Sequence, residues 1–146
     1  MKLKQLSLFL ENQPGALSRP VQLLAKARLN ILTLSIADAS QFGILRLILR
    51  DWPKAKKLLE QEGFVVKVTD MVAVEVADRP GGLAEILNVL EKAGINVEFM
   101  YAFTEKRQGR AVLIFRFDDP DNAIRVLGKA RINVVDSGEL LKQLEG

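Results

Sequence analysis

The chain has 146 residues, 49% of them hydrophobic and 27% charged, with a formal net charge of +3. That balance suits a soluble globular protein made of one average domain, or of two small ones of roughly 70 residues each. It holds no cysteine and no histidine, which excludes disulfides, thiol nucleophiles, imidazole bases and the usual zinc or haem ligands, so no catalytic residue, metal or cofactor is expected.

No segment reaches the roughly 18 uninterrupted apolar residues of a membrane span. The opening stretch MKLKQLSLFLEN lacks a cleavage-like small-residue site and reads as a strand rather than a signal peptide, so a cytoplasmic protein is expected. Leu6, Leu8 and Leu10 alternate with Gln5, Ser7 and Phe9, the period of a strand with one buried face. A Pro14-Gly15 junction follows. Leu17, Val21, Leu24 and Ala27 then have the spacing of an amphipathic helix. A second strand is predicted over 30 to 37, a turn at Gln41 to Gly43 and a third strand over ILRLILR, 44 to 50. Asp51 and Pro53 open a second helix, and Phe64 to Val68 form a closing strand.

The second half repeats the first. At an offset of 66, Pro14, Gly15, Leu17, Leu24, Lys26, Ala27 and Asn30 meet Pro80, Gly81, Leu83, Leu90, Lys92, Ala93 and Asn96. Its elements are a strand with Val72, Val74 and Val76 on one side, and a helix through Leu83, Ile86, Leu87, Leu90 and Ala93 ending at Gly94. A strand over 96 to 103, a turn within Glu105 to Gly109, AVLIFRF at 111 to 117, a helix opened by Asp119-Pro120 and a strand from Ile132 to Val135 complete it. The tail SGELLKQLEG is a short added helix with Ser137 as its cap. The prediction is therefore an α+β protein of two ferredoxin-like βαββαβ units in tandem, 1–70 and 71–146, whose sheets leave the face away from the helices open.

The junctions ENQPGAL and ADRPGGL are where chemistry is expected. The first helical N–H groups have no intrahelical partner, and the helix dipole adds partial positive charge, so a carboxylate fits there. Asn12 or Asp78 stands two residues before the proline, and Asn30 or Asn96 sixteen after it. The later residue starts the second strand, which we place close to the loop, and the two side chains could hold the ammonium of an amino acid. The plainer alternative is a turn and a helix cap with no ligand.

The pattern [ND]-x-P-G-x-L, with its asparagine sixteen residues beyond the proline and inside βαββαβ, resembles the ACT domain, a regulatory module that binds amino acids. The resemblance spans nearly the whole chain. LENQPGALSRPVQLLAKARLNI is also similar to the start of the acetolactate synthase regulatory subunit, although the different second half of that subunit is missing here. The resemblance implies that units pair through their second strands into an eight-stranded antiparallel sheet with all helices on one face, and that the effector lies between paired units. It implies a ligand site of Asn12, Pro14, Gly15, Ala16, Leu17, Asn30 and Ile31 in one copy. In the other copy the matching residues are Asp78, Gly81, Gly82, Leu83, Asn96 and Val97.

Three features qualify this picture. Asp78 in place of asparagine should favour a cationic group and tolerate a carboxylate less. Pro20 falls where the first helix should donate a hydrogen bond, so that helix begins late, with Ser18 as its cap, or is kinked. Phe99, Tyr101 and Phe103 alternate onto one face, so an exposed aromatic stripe buried in a homodimer is expected, unless a bulge turns the rings into the core.

The function expected is that of a non-catalytic, allosteric amino-acid-binding protein sensed by a partner protein. One alternative is a regulatory or assembly subunit of an amino-acid biosynthetic enzyme with no ligand of its own. Another is an RNA-binding ferredoxin-like module, for which the third strands lack the required aromatics. An enzyme built only on carboxylates and lysines has no acid pair forced together by spacing.

Overall fold

The structure, a computed structural model, describes residues 2–103 and 109–145. Its elements in chain order are β1 (Lys2–Glu11), α1 (Ser18–Lys26), β2 (Thr33–Ala39), β3 (Phe42–Ile48), α2 (Trp52–Gln61), β4 (Val66–Ala77), α3 (Gly82–Lys92), β5 (Val97–Ala102), β6 (Arg110–Phe117), α4 (Pro120–Lys129) and α5 (Ser137–Glu145). They divide into two compact units, Lys4–Thr69 and Asp70–Gly146 with Met1–Leu3.

In the unit Lys4–Thr69 the strand order is β2-β3-β1-β4, with β3 antiparallel to both β1 and β2. Leu6, Leu8 and Leu10 of β1, and Leu45 and Leu47 of β3, join Leu24 of α1 and Ala55 and Leu59 of α2 in one buried core. Alternate strand residues thus meet the apolar stripes of both helices on a single face, as period two and period 3.6 require. Asp51 caps α2 by accepting the Lys54 N–H, and Pro53 lies in the first turn.

The other unit has the order β4-β6-β5, with β6 antiparallel to both neighbours. Its core joins Val72, Val74 and Val76 to Leu113, Phe115 and Phe117 of β6, to Ile86 and Leu90 of α3, and to Ala123 and Leu127 of α4. Phe115 and Phe117 stack with ring centres 5.2 Å apart. Asp119 caps α4 through the Asn122 N–H at 3.2 Å.

The four helices α1 to α4 end alike. Leu29, Phe64, Ile95 and Ile132 each donate an N–H to a carbonyl five residues back, over a left-handed residue: Arg28 (φ 58°), Gly63 (φ 91°), Gly94 (φ 70°) and Arg131 (φ 59°). This is the Schellman stop, in which glycine is the usual left-handed residue.

Several expectations change. The first closing strand and the second opening strand are one element, β4, and Phe64 and Val65 precede it. Ile132 to Val135 make only a bridge, Val74 with Val134, flanked by Glu75 N–H to Asn133 and Val135 N–H to Ala73. Asp136, not Ser137, caps α5, its Oδ1 accepting the Glu139 N–H at 3.1 Å. The helix α1 does begin late, at Ser18, because Pro20 has no N–H to give to Ala16. Ser18 does not cap it: its Oγ accepts from Gln22 Nε2 at 2.7 Å.

The aromatic stripe is also revised. A bulge between Val97 and Phe99 lets Val97 and Met100 both pack on the core. Phe99 and Tyr101 are half-buried, and Phe103, beyond the strand, is buried. In the same unit the sheet face away from the helices is covered: Met71, Ala73, Val112 and Ile114 are all buried. The turn expected at Glu105 to Gly109 lies, apart from Gly109, outside the described residues.

Candidate functional site: two proline-glycine turns at helix starts

Each junction is a type II β-turn. In Gln13-Pro14-Gly15-Ala16 the Ala16 N–H donates to the Gln13 carbonyl at 3.2 Å, and in Arg79-Pro80-Gly81-Gly82 the Gly82 N–H donates to Arg79 at 3.0 Å. Proline supplies φ at the second position, and the third must be left-handed, which Gly15 (φ 85°) and Gly81 (φ 86°) supply. The first helical bonds then run from Arg19 N–H to Gly15 and from Glu85 N–H to Gly81. Of the backbone groups carried into the site, those of Ala16 and Gly82 therefore hold the turn. Those of Leu17 and Leu83 belong to the first turn of helix, which has no carbonyl one turn earlier to bond.

The acid or amide position anchors each turn to a hairpin. Asn12 donates its N–H to Gln41 at 2.9 Å, and Asp78 donates its N–H to Gly109 at 3.1 Å. Asn12 adds a side-chain bond, Nδ2 to the Ser40 carbonyl at 3.1 Å. The side chain of Asp78, a carboxylate, has no N–H with which to make that second bond.

The junctions differ in charge and packing. No acid lies in the first turn of α1, and Arg19 stands beside it, with Nη2 on the Glu62 carbonyl at 2.9 Å and its guanidinium 4.8 Å from the Phe64 ring centre. A groove lined by Gly15, Ser18, Arg19, Gln22, Leu23 and Lys26 runs along that helix. The start of α3 carries Glu85, paired with Arg79 at 3.2 Å. There Gly82 is buried, and a Cβ on it would collide with the Ala77 carbonyl oxygen, whereas its counterpart Ala16 carries a methyl group and packs on its own core.

Asn30 is not brought to Asn12 within its unit. Asn12 sits at the Ser40–Gln41 end of the β2–β3 hairpin, while the Leu32 N–H donates to Ile48 at the other end. The β2 strand between these ends, Thr33 to Ala39, spans about 20 Å at ~3.3 Å per residue. The second copy matches: Asp78 bonds Gly109, and Asn96 exchanges bonds with Asp118 at the far end of β6. The helix returns the chain down the sheet, so residues sixteen apart lie at opposite ends. Both asparagines are exposed, and Ile31 and Val97 are half-buried against the two cores.

Arg19, Ser40 and Glu85 were not singled out in the sequence. Arg19 could have been found from the polar row it forms with Ser18, Gln22 and Lys26 beside the turn; Ser40 carried no signal, because its contact with Asn12 spans 28 residues.

A family model described as an ACT domain pair matches residues 1–144. The chain belongs to that family. Among solved structures, a protein from Bacteroides thetaiotaomicron is 37% identical over 97% of each chain, with a TM-score of 0.89. The regulatory subunit of aspartate kinase from Thermus thermophilus is 17% identical, over 89% of this ACT pair and 93% of that chain, with a TM-score of 0.64. Its counterpart from Thermus flavus is 19% identical over the same shares, with a TM-score of 0.62. The last two share the fold. A search of curated proteins gave no match. No helix among the described residues is long and apolar enough to cross a membrane.

Proposed function

We propose that this ACT pair is a non-catalytic regulatory protein that binds a free amino acid between neighbouring units and passes the signal to a partner protein. The observation that carries the reading is the pair of type II turns, which present a helix start with unbonded N–H groups at the same place in both units. The fold shared with regulatory subunits of aspartate kinase supports a regulatory role.

The separation of Asn12 from Asn30 decides how such a site is completed. If both hold one ligand, they come from different units whose second strands run antiparallel edge to edge, since that pairing sets the start of one strand beside the loop of the other. The β2 strand is suited to this. It is an edge in its unit, pairs with β3 through seven residues without a bulge, and carries neither lysine nor proline. Its Leu34 and Ile36 are 45% and 54% exposed. Joined in this way to another unit, for instance in a homodimer, the four strands extend to eight.

The ligand carboxylate sits on the Leu17 and Ser18 N–H groups, and Asn12, its Nδ2 given to Ser40, offers Oδ1 to the ammonium. The first junction is the stronger, because no acid lies in the first turn of α1 and Arg19 stands beside it, whereas the second carries Asp78 in place of asparagine and a Glu85 already paired with Arg79. Calorimetric titration with each proteinogenic amino acid tests this. Binding at millimolar concentration or tighter that is lost in Asn12→Ala supports it, and the absence of binding by all of them rejects it.

A further inference from the structure

Among the described residues, seven large hydrophobic side chains are exposed, and six of them belong to the unit Lys4–Thr69: Phe9, Leu17, Leu34, Ile36, Phe42 and Val65. Phe9 and Phe42 stand on the sheet face away from the helices. Strand register fixes this: Leu6, Leu8 and Leu10 face the core, so Phe9 and Glu11 face outward, and their cross-strand partners Ile44 and Phe42 share that face. Ala37, opposite Ile44 on β2, continues the row. The result is an apolar patch of Phe9 (63% exposed), Phe42 (52%), Ile44 and Ala37.

The repeat provides an internal control. Phe9 corresponds to Glu75. Phe42, opposite Glu11, corresponds to Arg110, opposite Ala77. In the other unit the same two places are filled by an ion pair, Arg110 with Glu75 at 3.4 Å. The fold therefore has no need of aromatics there, and two exposed phenylalanines serve a contact.

The charges around the patch name the occupant. Glu11 lies in the row above Phe9, at the loop end, and Arg46, opposite Ser7, in the row below Ile44. An acid at one end and a base at the other, about an apolar centre, is a self-complementary surface. A two-fold axis lying between two such faces sets Glu11 of each copy over Arg46 of the other, with the two Phe9 rings meeting in the middle and each Phe42 reaching toward Ala37 of the other copy. Because Glu11 and Arg46 stand on adjacent strands, that axis is oblique, and the strands cross at an angle near the roughly 30° of packed sheets. We propose that this face is a contact between two copies of the chain, formed by sheet packing and separate from the β2 edge.

The proposal does not rest on ligand binding or on edge pairing. Phe9→Glu/Phe42→Arg installs the ion pair that the other unit already carries, so the variant keeps its fold, read as an unchanged circular dichroism spectrum. Light scattering after gel filtration should give it half the mass of the wild type, whether the wild type is a dimer or a tetramer. Glu11→Arg and Arg46→Glu should each weaken association at least tenfold at low salt, and the double exchange should restore it. Equal masses for the wild type and the phenylalanine double variant, including a monomer in both, would overturn the proposal. So would a charge-exchanged double variant no better than its parents, which would give the patch to a different protein.

Discussion

Asn12 and Ser40, 28 residues apart, are joined by a 3.1 Å hydrogen bond from the Asn12 Nδ2 to the Ser40 carbonyl. Together with the Asn12 N–H to Gln41, this pins the first proline-glycine turn to the β2–β3 hairpin. Asn12→Asp keeps an acceptor but removes the donor, leaving the Ser40 carbonyl facing an acid. The variant should lose about 0.5–1 kcal/mol in urea denaturation, the contribution of one exposed hydrogen bond, and should bind a carboxylate ligand more weakly.

The two glycines of the second turn resist substitution for different reasons. Gly81→Ala meets open space but must hold φ at 86°, which costs an L-residue about 1–2 kcal/mol. Gly82→Ala drives a methyl into the Ala77 carbonyl and the Val76 side chain and should cost more, ~3 kcal/mol, as overpacking against backbone does. Chemical denaturation of both variants should rank them in that order.

Thr33 is 2% exposed, and its Oγ1 has no hydrogen-bond partner among the described residues. Thr33→Val keeps the shape and β-branching while removing an unsatisfied hydroxyl. It should stabilise the protein by about 1 kcal/mol, seen as a higher denaturation midpoint at unchanged slope.

Arg28 and Arg131 occupy the left-handed stop positions that Gly94 and Gly63 fill in the other copy. Replacing either arginine by glycine removes a strain of about 1–2 kcal/mol, partly offset by the greater freedom of glycine in the unfolded chain. A net gain of ~0.5 kcal/mol is expected for each, measurable as a rise in thermal midpoint.

Lys2 is held above the usual lysine value of 10.5, first by its hydrogen bond to Asp121 and then by the charge of that carboxylate, at 3.1 Å. A raised folded-state value favours folding below the unfolded value and ceases to do so as the pH climbs past the folded one. With no histidine or cysteine in the chain, stability should be nearly flat between about pH 6 and 9. It should fall above that lysine range, and Asp121→Asn should remove part of the alkaline decline.

Much of the fold was legible because it is local and repeated. Asp51 and Asp119 cap the helices that their following prolines announced, and the leucine and valine alternations mark the core faces of β1 and β4. What escaped depends on direction and distance. The helix α1 carries the chain to the opposite end of the sheet, so Asn30, just before β2, lies far from Asn12 although both belong to one sequence pattern. Ile132 to Val135 have strand composition, yet only Val134 forms a bridge. Asp136 wins the α5 cap from Ser137 because its carboxylate reaches the Glu139 N–H. Phe103 is buried, its N–H bonded to the carbonyl of Val112 on the covered face of the sheet.

At the candidate site, the type II turns could be read from proline and glycine alone, whereas the anchoring of Asn12 by Ser40 could not. A lone unit holds only half of the proposed set of ligand contacts, and that is the claim most open to direct trial.

Calorimetry with the bound amino acid on a mixture of Asn12→Ala and Asn30→Ala chains, unfolded and refolded together, addresses it. With both residues holding one ligand across two copies, each variant alone fails to bind. A mixed pair regenerates one intact site of its two, so binding returns to about a quarter of wild-type stoichiometry under random pairing. Full binding by either variant alone, or none in the mixture, would contradict a site shared between the Asn12 loop of one copy and the Asn30 strand of the other.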